Sequence, residues 1–310
     1  MSKPSRFNPD TTELELIESI SVADLVGSWK HDFGLQTGHL FEGVEELCLV
    51  KEQDTGFIRF DPPILGDPAF YQGLRRFRWY HPKTKTEHRI AARWFKVNCP
   101  PSGSVLDVGA GDGRFADVLS GADYAGLETD PEAVATGVGA GRKLIAEDLE
   151  TYLQRDNSRA EMVTAFQLLE HVDNPDALLS AMTAATAPGG FVVVGVPNFD
   201  SYIADLPDFM LNAPPHHVSW WTASALEKLF VRHGLTPCHK VECSLEAWER
   251  QLWWMAAISK RLRRRSDLKY FGQGLRTNKI ASFLLSAVAQ YVPLWRKPKG
   301  STLVMIAQKS

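Results

Sequence analysis

The sequence predicts an α/β fold with a parallel sheet, and three observations predict it. Residues 104–119, SVLDVGAGDGRFADVL, join a buried strand (Val105, Leu106, Val108) through a glycine-rich turn to apolar residues at helical spacing (Phe115, Val118, Leu119). From 104 to 243 short apolar runs alternate with amphipathic ones, the pattern of βαβ units. A last apolar run at 302–308 stands apart, beyond a stretch at 244–300 that reads as mostly helical.

Composition narrows the class. The 310 residues are 44% hydrophobic and 23% charged, as in globular proteins that bury a core. A net charge of −3 gives no global basic field, so nucleic acid is not an expected partner. Cys48, Cys99, Cys238 and Cys243 are scattered without a C-x-x-C pair. That argues against a zinc site or disulfide framework and fits a reducing, cytoplasmic setting. The segment MSKPSRFNPD lacks the apolar core of a signal peptide, and no apolar run is long enough to span a bilayer.

Taken in order, residues 1–15 read as frayed. Residues 17–29 have helical periodicity (Ile20, Leu25, Trp29), with Ser21 or Asp24 as the start. Residues 47–50 and 56–60 read as short strands, and 61–68 as a proline-rich loop. Residues 70–80, aromatic and basic, read as a helix, as do 87–98. Strands follow at 104–108, 124–128, 144–146, 162–166, 191–196, 236–243 and 302–308. Helices fall between them: 132–139 capped by Asp130 with Pro131 in its first turn, 149–153, 174–185, and 222–233 closed by Gly234. Residues 188–190, Pro-Gly-Gly, read as a turn.

The turn itself is informative. Gly109, Gly111 and Gly113 are spaced G-x-G-x-G, with Ala110 between the first two, and lack the G-x-G-x-x-G of a dinucleotide site. Asp107 and Asp112 lie in and before it. Two acids repel a diphosphate and attract a cationic ligand. Glu128 ends the second strand, where a carboxylate can accept both hydroxyls of a ribose.

These residues resemble the first motifs of class I S-adenosylmethionine (SAM) methyltransferases. Further motifs sharpen the resemblance: LEHVDNP at 169–175, PGG at 188–190, VPN at 196–198 and PPHHVSWW at 214–221. They are similar to those of a bacterial group that methylates small molecules and cell-surface sugars, over about residues 25–245. The resemblance implies a Rossmann-like sheet of seven strands, mostly parallel with the last antiparallel. It also implies SAM bound by Asp107, Gly109, Ala110, Gly111, Gly113, Glu128, Asp148, Leu149 and Gln167. Asp148, with Glu147 as the alternative, would meet the adenine amino group, and the Leu149 N–H a ring nitrogen. The division expected is an accessory region at 1–85, a core at 86–243 plus 301–310, and a helical insertion at 244–300.

Methyl transfer to a hydroxyl needs alignment and a base. His171, His216 and His217 are the candidates, since histidine titrates near working pH. His171, beyond the fourth strand, is slightly favoured. Ubiquinone-biosynthesis O-methyltransferases look similar here but carry E-x-x-E-H; Gln167 replaces the first acid, so no metal is expected. Tyr71, Trp79, Tyr80, Trp220 and Trp221 are candidates for an acceptor pocket. The basic, tryptophan-rich stretch 248–265 reads as a packed helix with a solvated face, with weak membrane-surface contact as the alternative. The expected acceptor is a small molecule or saccharide, methylated on oxygen. The rivals are N-methylation, a nicotinamide oxidoreductase and a non-catalytic SAM-binding protein.

Overall fold

A computed structural model describes residues 13–77, 85–156, 158–206, 208–262, 270–271, 276–294 and 297–310, without the side chains of 276–278. Two sheets carry the chain. The larger has seven strands: β4 (Ser104–Val108), β5 (Asp123–Leu127), β6 (Leu144–Ile145), β7 (Ala160–Phe166), β8 (Thr186–Pro197), β10 (Leu235–Ser244) and β11 (Lys299–Lys309). Their order is β10-β11-β8-β7-β4-β5-β6. The pairs from β6 to β8 are parallel, while β11 runs antiparallel between β8 and β10. This is the Rossmann-like sheet expected, with its last strand reversed.

The central strands are apolar on both faces because helices cover both. Met162, Val163 and Ala165 of β7 and Val192, Val193 and Val194 of β8 are fully buried. On one face lie α5 (Leu149–Arg155), α6 (Pro175–Ala185) and α7 (Ala223–Arg232); α3 (Thr86–Asn98) packs on the other. Each of α5, α6 and α7 begins on a side-chain cap. Asp148, Asn174 and Thr222 accept the N–H groups of Thr151, Ala177 and Ala225. Asp130 likewise caps α4 (Pro131–Gly139).

The smaller sheet orders β1 (Leu14–Ser21), β2 (Glu46–Glu52), β3 (Ile58–Asp61) and β9 (Ser219–Trp220), all antiparallel. Strand β9 comes from the stretch assigned to the core, so the two sheets are laced together directly after the P-P-H-H segment. Helices α1 (Val22–Phe33), α2 (Pro68–Arg75), α8 (Arg250–Leu262) and α9 (Arg276–Ala289) complete the chain. Trp29, Phe60, Leu74, Met210, Trp220 and Met255 share the core under the smaller sheet.

Several expectations need correction. Residues 14–21 form a strand, neither frayed nor helical; α1 starts only at Val22, with Ser21 as its cap. Helix α2 ends at Arg75, and residues 78–84, including Trp79 and Tyr80, lie outside the described part. The turn at 188–190 is a bulge inside β8: between Thr186 and Phe191 the strand gains residues over its partner, and Gly189 has φ +73°. After the glycine turn the chain forms a short 3-10 helix, Arg114–Val118, and no α-helix. Among the described residues, no helix is long and apolar enough to cross a membrane.

Candidate active site

In an open α/β sheet, ligands bind beyond the carboxyl ends of the strands. Here β4 ends in the loop Gly109–Gly113, whose three glycines hold φ of +66°, +57° and +74°. An L side chain is strained in that region. At Gly109 it would also collide: an added Cβ would lie 2.9 Å from Leu168 Cδ2. At Gly111 nothing lies within 4 Å of such a Cβ. The loop backbone is therefore bare toward open space at Gly111, the kind of cradle a ligand can approach closely.

Glu128 sets the loop's shape. Its Oε2 accepts the Gly111 N–H at 2.8 Å and its Oε1 accepts the Asp130 N–H at 2.8 Å. Ala110 N–H donates to Leu127 O at 2.9 Å, a second tie between the loop and β5. A carboxylate offers about four lone-pair directions, so Glu128 retains acceptor capacity for ligand hydroxyls. Asp148 is the N-cap of α5, and the Leu149 side chain is in the core, leaving only its backbone for a ligand.

The two acids of the electrostatic argument prove different. Asp107 is buried; its Oδ1 accepts from Thr164 Oγ1 at 2.6 Å and its Oδ2 from Tyr124 OH at 3.0 Å. Burial raises its carboxyl to about 6, against those hydrogen bonds. It ties β4 to β5 and β7 and offers no free charge to a ligand. Asp112 pairs with Arg114 Nε at 2.7 Å. The negative group at the loop surface is Glu128, so the preference for a ligand with hydroxyls rests on it alone.

Beyond β7 the chain turns sharply. Gln167 has φ +54° and donates its N–H to Gly195 O at 2.7 Å. Its side-chain Nε2 donates to Glu87 Oε1 at 3.3 Å. The strained backbone places Leu168 against Gly109 and carries Leu169–His171 into a 3-10 turn. That turn meets the P-P-H-H segment: Val218 N–H donates to Glu170 O at 2.9 Å, and the Trp29 indole holds Pro214 O at 2.8 Å.

The three candidate histidines come together, although His171 precedes the adjacent pair His216–His217 by 45 residues. His171 lies 4.7 Å from His216 and 4.9 Å from His217 between ring centroids, both edge-on. The tautomers follow from their partners. His171 Nδ1–H donates to His216 O at 2.6 Å, and His216 Nδ1–H donates to Leu211 O at 2.9 Å. Each Nε2 therefore carries the lone pair. Burial drives all three down, His171 to about 3 and His216 to about 4, so the imidazoles are neutral at working pH.

Glu170 lies with Gln167 and His171 just past β7, where the sequence places it near the methyl donor without assigning it a role. It is 1% exposed, its two oxygens have no hydrogen-bond partner, and Oε1 lies 3.7 Å from His171 Nε2. Burial raises its carboxyl to about 8. A buried orphan carboxyl costs free energy, and such groups concentrate where chemistry needs them. The signal was its place in Leu-Glu-His-Val; what hid it was that burial is not visible in a motif.

Tyr71 also joins the site, its hydroxyl 3.4 Å from His171 Nδ1. Trp220 and Trp221 do not. Trp220 stacks on Phe199 at 4.2 Å, Trp221 packs on Phe57 at 4.4 Å, and both are core residues.

The histidine nitrogens lie within 4.8 Å of one another, the one such His, Cys, Asp or Glu group among the described residues that could hold a metal ion. A metal lies in the plane of each imidazole it binds, about 2.0–2.1 Å from nitrogen for zinc. The rings of His216 and His217 are stacked 4.3 Å apart at 22°, so their planes do not meet at bonding distance. Both could bind one ion only after one ring turned. The arrangement as it stands favours a hydrogen-bonding cluster.

The architecture is that of SAM-dependent methyltransferases: a solved enzyme of that description from Archaeoglobus fulgidus superposes over 77% of this chain and all of its own, with TM-score 0.52 at 14% identity, a likeness of fold. Residues 78–240 match the family model described as a methyltransferase domain. The chain belongs to that family. Among curated relatives, the ubiquinone biosynthesis O-methyltransferase of Thiobacillus denitrificans is 29% identical over 131 residues, which are 37% of this chain and 56% of that protein. The protein of the same description from Azoarcus sp. is 28% identical over 172 residues, 48% of this chain and 72% of its own. The chain thus spans 56% of the length of the first relative and 40% of that from Serratia proteamaculans.

The residues present fit SAM. The bare Gly111 backbone and the Glu128 carboxylate suit a nucleoside with two free hydroxyls. A Glu128→Gln variant keeps the size but weakens charge-assisted hydrogen bonds of about 1.5–3 kcal/mol, so SAM affinity should fall roughly 10- to 150-fold. Calorimetric titration checks this; a change below about twofold would place Glu128 outside the site.

Proposed function

We propose that the protein transfers the methyl group of SAM to a hydroxyl oxygen of a small-molecule acceptor, a saccharide or a hydroxylated ring. The observation that carries the proposal is the neutral histidine cluster with its orphaned Glu170, set against the glycine loop through Leu168. Bound SAM supplies an electrophilic methyl carbon on a sulfonium. Gly109, Ala110, Gly111 and Gly113 cradle it, Glu128 takes the ribose hydroxyls, and Asp148 and the Leu149 backbone take the adenine. Gln167, at the end of β7, borders the methyl-donor end, and Asp107 positions the loop from behind.

The acceptor hydroxyl lies against His171. Its Nε2, left unprotonated by the Nδ1–H bond to His216 O, takes the acceptor proton as the oxygen attacks. Glu170, beside that nitrogen, neutralises the imidazolium when ionised. His216 and His217 exclude water and fix the ring, and Tyr71 closes the cluster from α2. No resident metal enters. Most of the rate comes from alignment, which can supply about 7–11 kcal/mol, with the base adding about 10²–10⁴. Relatives described as O-methyltransferases support oxygen as the site. Four free cysteines support a reducing, cytoplasmic setting.

Incubation with methyl-labelled SAM and matched panels of phenols, saccharides and amines tests the reading. Label is expected in a methyl ether. Label confined to amines would replace it by N-methylation, and binding of SAM without turnover on any acceptor would replace it by a non-catalytic role.

A further inference from the structure

Helix α9 is inside out. Ser282 and Ser286 are fully buried, on the face that α9 packs on α8, where Ser259 is fully buried too. The opposite face carries Ile280, Phe283, Leu284 and Val288, each more than half exposed, and Tyr291 just beyond the helix is 81% exposed. Positions 280, 284 and 288 recur at four-residue steps and form one stripe. In water such a helix gains nothing from its apolar face, and contiguous exposed apolar surface on one element marks a docking site.

Charge says what docks. Residues 250–300 contain twelve lysines and arginines against one acid, Asp267, in a chain whose net charge is −3. Among the described ones, Lys260, Arg261, Lys297 and Lys299 are exposed, with Lys260 paired to Asp205 and Lys299 to Glu242. A second copy of this chain would bring two strongly basic surfaces together, which like-charge repulsion opposes. Nucleic acid would satisfy the charge but finds no use for a branched aliphatic stripe. A surface that is anionic outside and hydrocarbon beneath satisfies both.

We propose that α9 docks the protein on an anionic lipid bilayer. Ile280, Phe283, Leu284, Val288 and Tyr291 enter the headgroup boundary, and the exposed Arg261 and Lys297 meet the lipid charge. Helices that lie in a membrane interface combine the same two features. The contact belongs to α9; the earlier stretch 248–265 supplies charge, while its Met255 and Ala256 are buried in the fold. Helices α8 and α9 also touch the chain that precedes the P-P-H-H segment. Lys260 of α8 pairs with Asp205 at 2.9 Å, and Lys279 of α9 donates to Asp208 O at 3.0 Å, in the segment that leads to His216.

Co-sedimentation of the full chain with vesicles tests this. Binding to phosphatidylglycerol–phosphatidylcholine vesicles should exceed binding to phosphatidylcholine alone by about tenfold or more and weaken with salt. The triple variant Phe283→Ser, Leu284→Ser, Val288→Ser changes only exposed side chains. It should keep the parental circular dichroism and lose the vesicle binding. A parental protein that stays in the supernatant with anionic vesicles overturns the proposal, as does a triple variant that binds like the parent. A parental dimer that the triple variant dissolves would make the stripe a self-association surface instead, and retention on single-stranded nucleic acid lost in the triple variant would make it a nucleic-acid surface. None of these outcomes depends on methyl transfer.

Discussion

His171→Ala should lower kcat by about 10²–10⁴ while SAM affinity stays within a few-fold. The variant removes the one nitrogen placed to receive the acceptor proton and leaves the glycine loop and Glu128 untouched. The pH profile carries the sign. With His171 held near 3 by burial, it is unprotonated across the neutral range, so the parental rate shows no acid limb at an ordinary histidine value. Glu170, raised to about 8, is neutral below that pH and ionised above it. An ionised Glu170 stabilises the imidazolium formed on His171, so kcat should rise as pH passes through about 8. Glu170→Gln should flatten that rise. Steady-state rates at saturating SAM, from pH 6 to 10, provide the check. Parental kcat in His171→Ala together with loss in His216→Ala or His217→Ala would move the base to the P-P-H-H segment. Full activity in all three would leave alignment alone and favour a neutral amine acceptor.

Gly109→Val should abolish SAM binding in a folded protein. The valine needs a positive φ that branched residues avoid, and its Cβ would press on Leu168 at 2.9 Å. Leu168 lies on the same turn as His171, so relief of the clash moves the loop, the turn or both. Calorimetry for SAM beside circular dichroism for the fold separates binding from unfolding. Parental affinity in a folded variant would remove the loop from the site.

Much of the sheet was legible because its signals are local. An apolar run followed by G-x-G-x-G ends a strand wherever it lies, and the cap Asp130 stands one residue from the helix it starts. What failed locally failed through competing periods. Ile20 reads as helical with Leu25 and Trp29, yet pairing of residues 14–21 with β2 makes it part of a strand. Phe115 and Val118 fit an α-helix, but only one 3-10 turn forms before Leu119 becomes extended.

The site was legible as residue types but not as geometry. Asp107 and Asp112 read as ligand-facing charges; partners Tyr124, Thr164 and Arg114, which spacing does not reveal, absorb both. The meeting of His171 with His216 and His217 depends on how two loops fold over the ends of β7 and β8. The orphaned state of Glu170 depends on everything packed around it. Helix α9 shows the same limit: its apolar residues suggest a buried face, and only its buried serines reveal that the face is outside.

The central claim is that the glycine loop with Glu128 holds SAM. The most direct measurement is calorimetric titration of the parental protein with SAM and, separately, with NAD. Saturable binding of SAM at one site per chain, lost in Gly109→Val, with no heat from NAD, is the expected result. Binding of NAD with none of SAM would contradict it and make the loop a dinucleotide site.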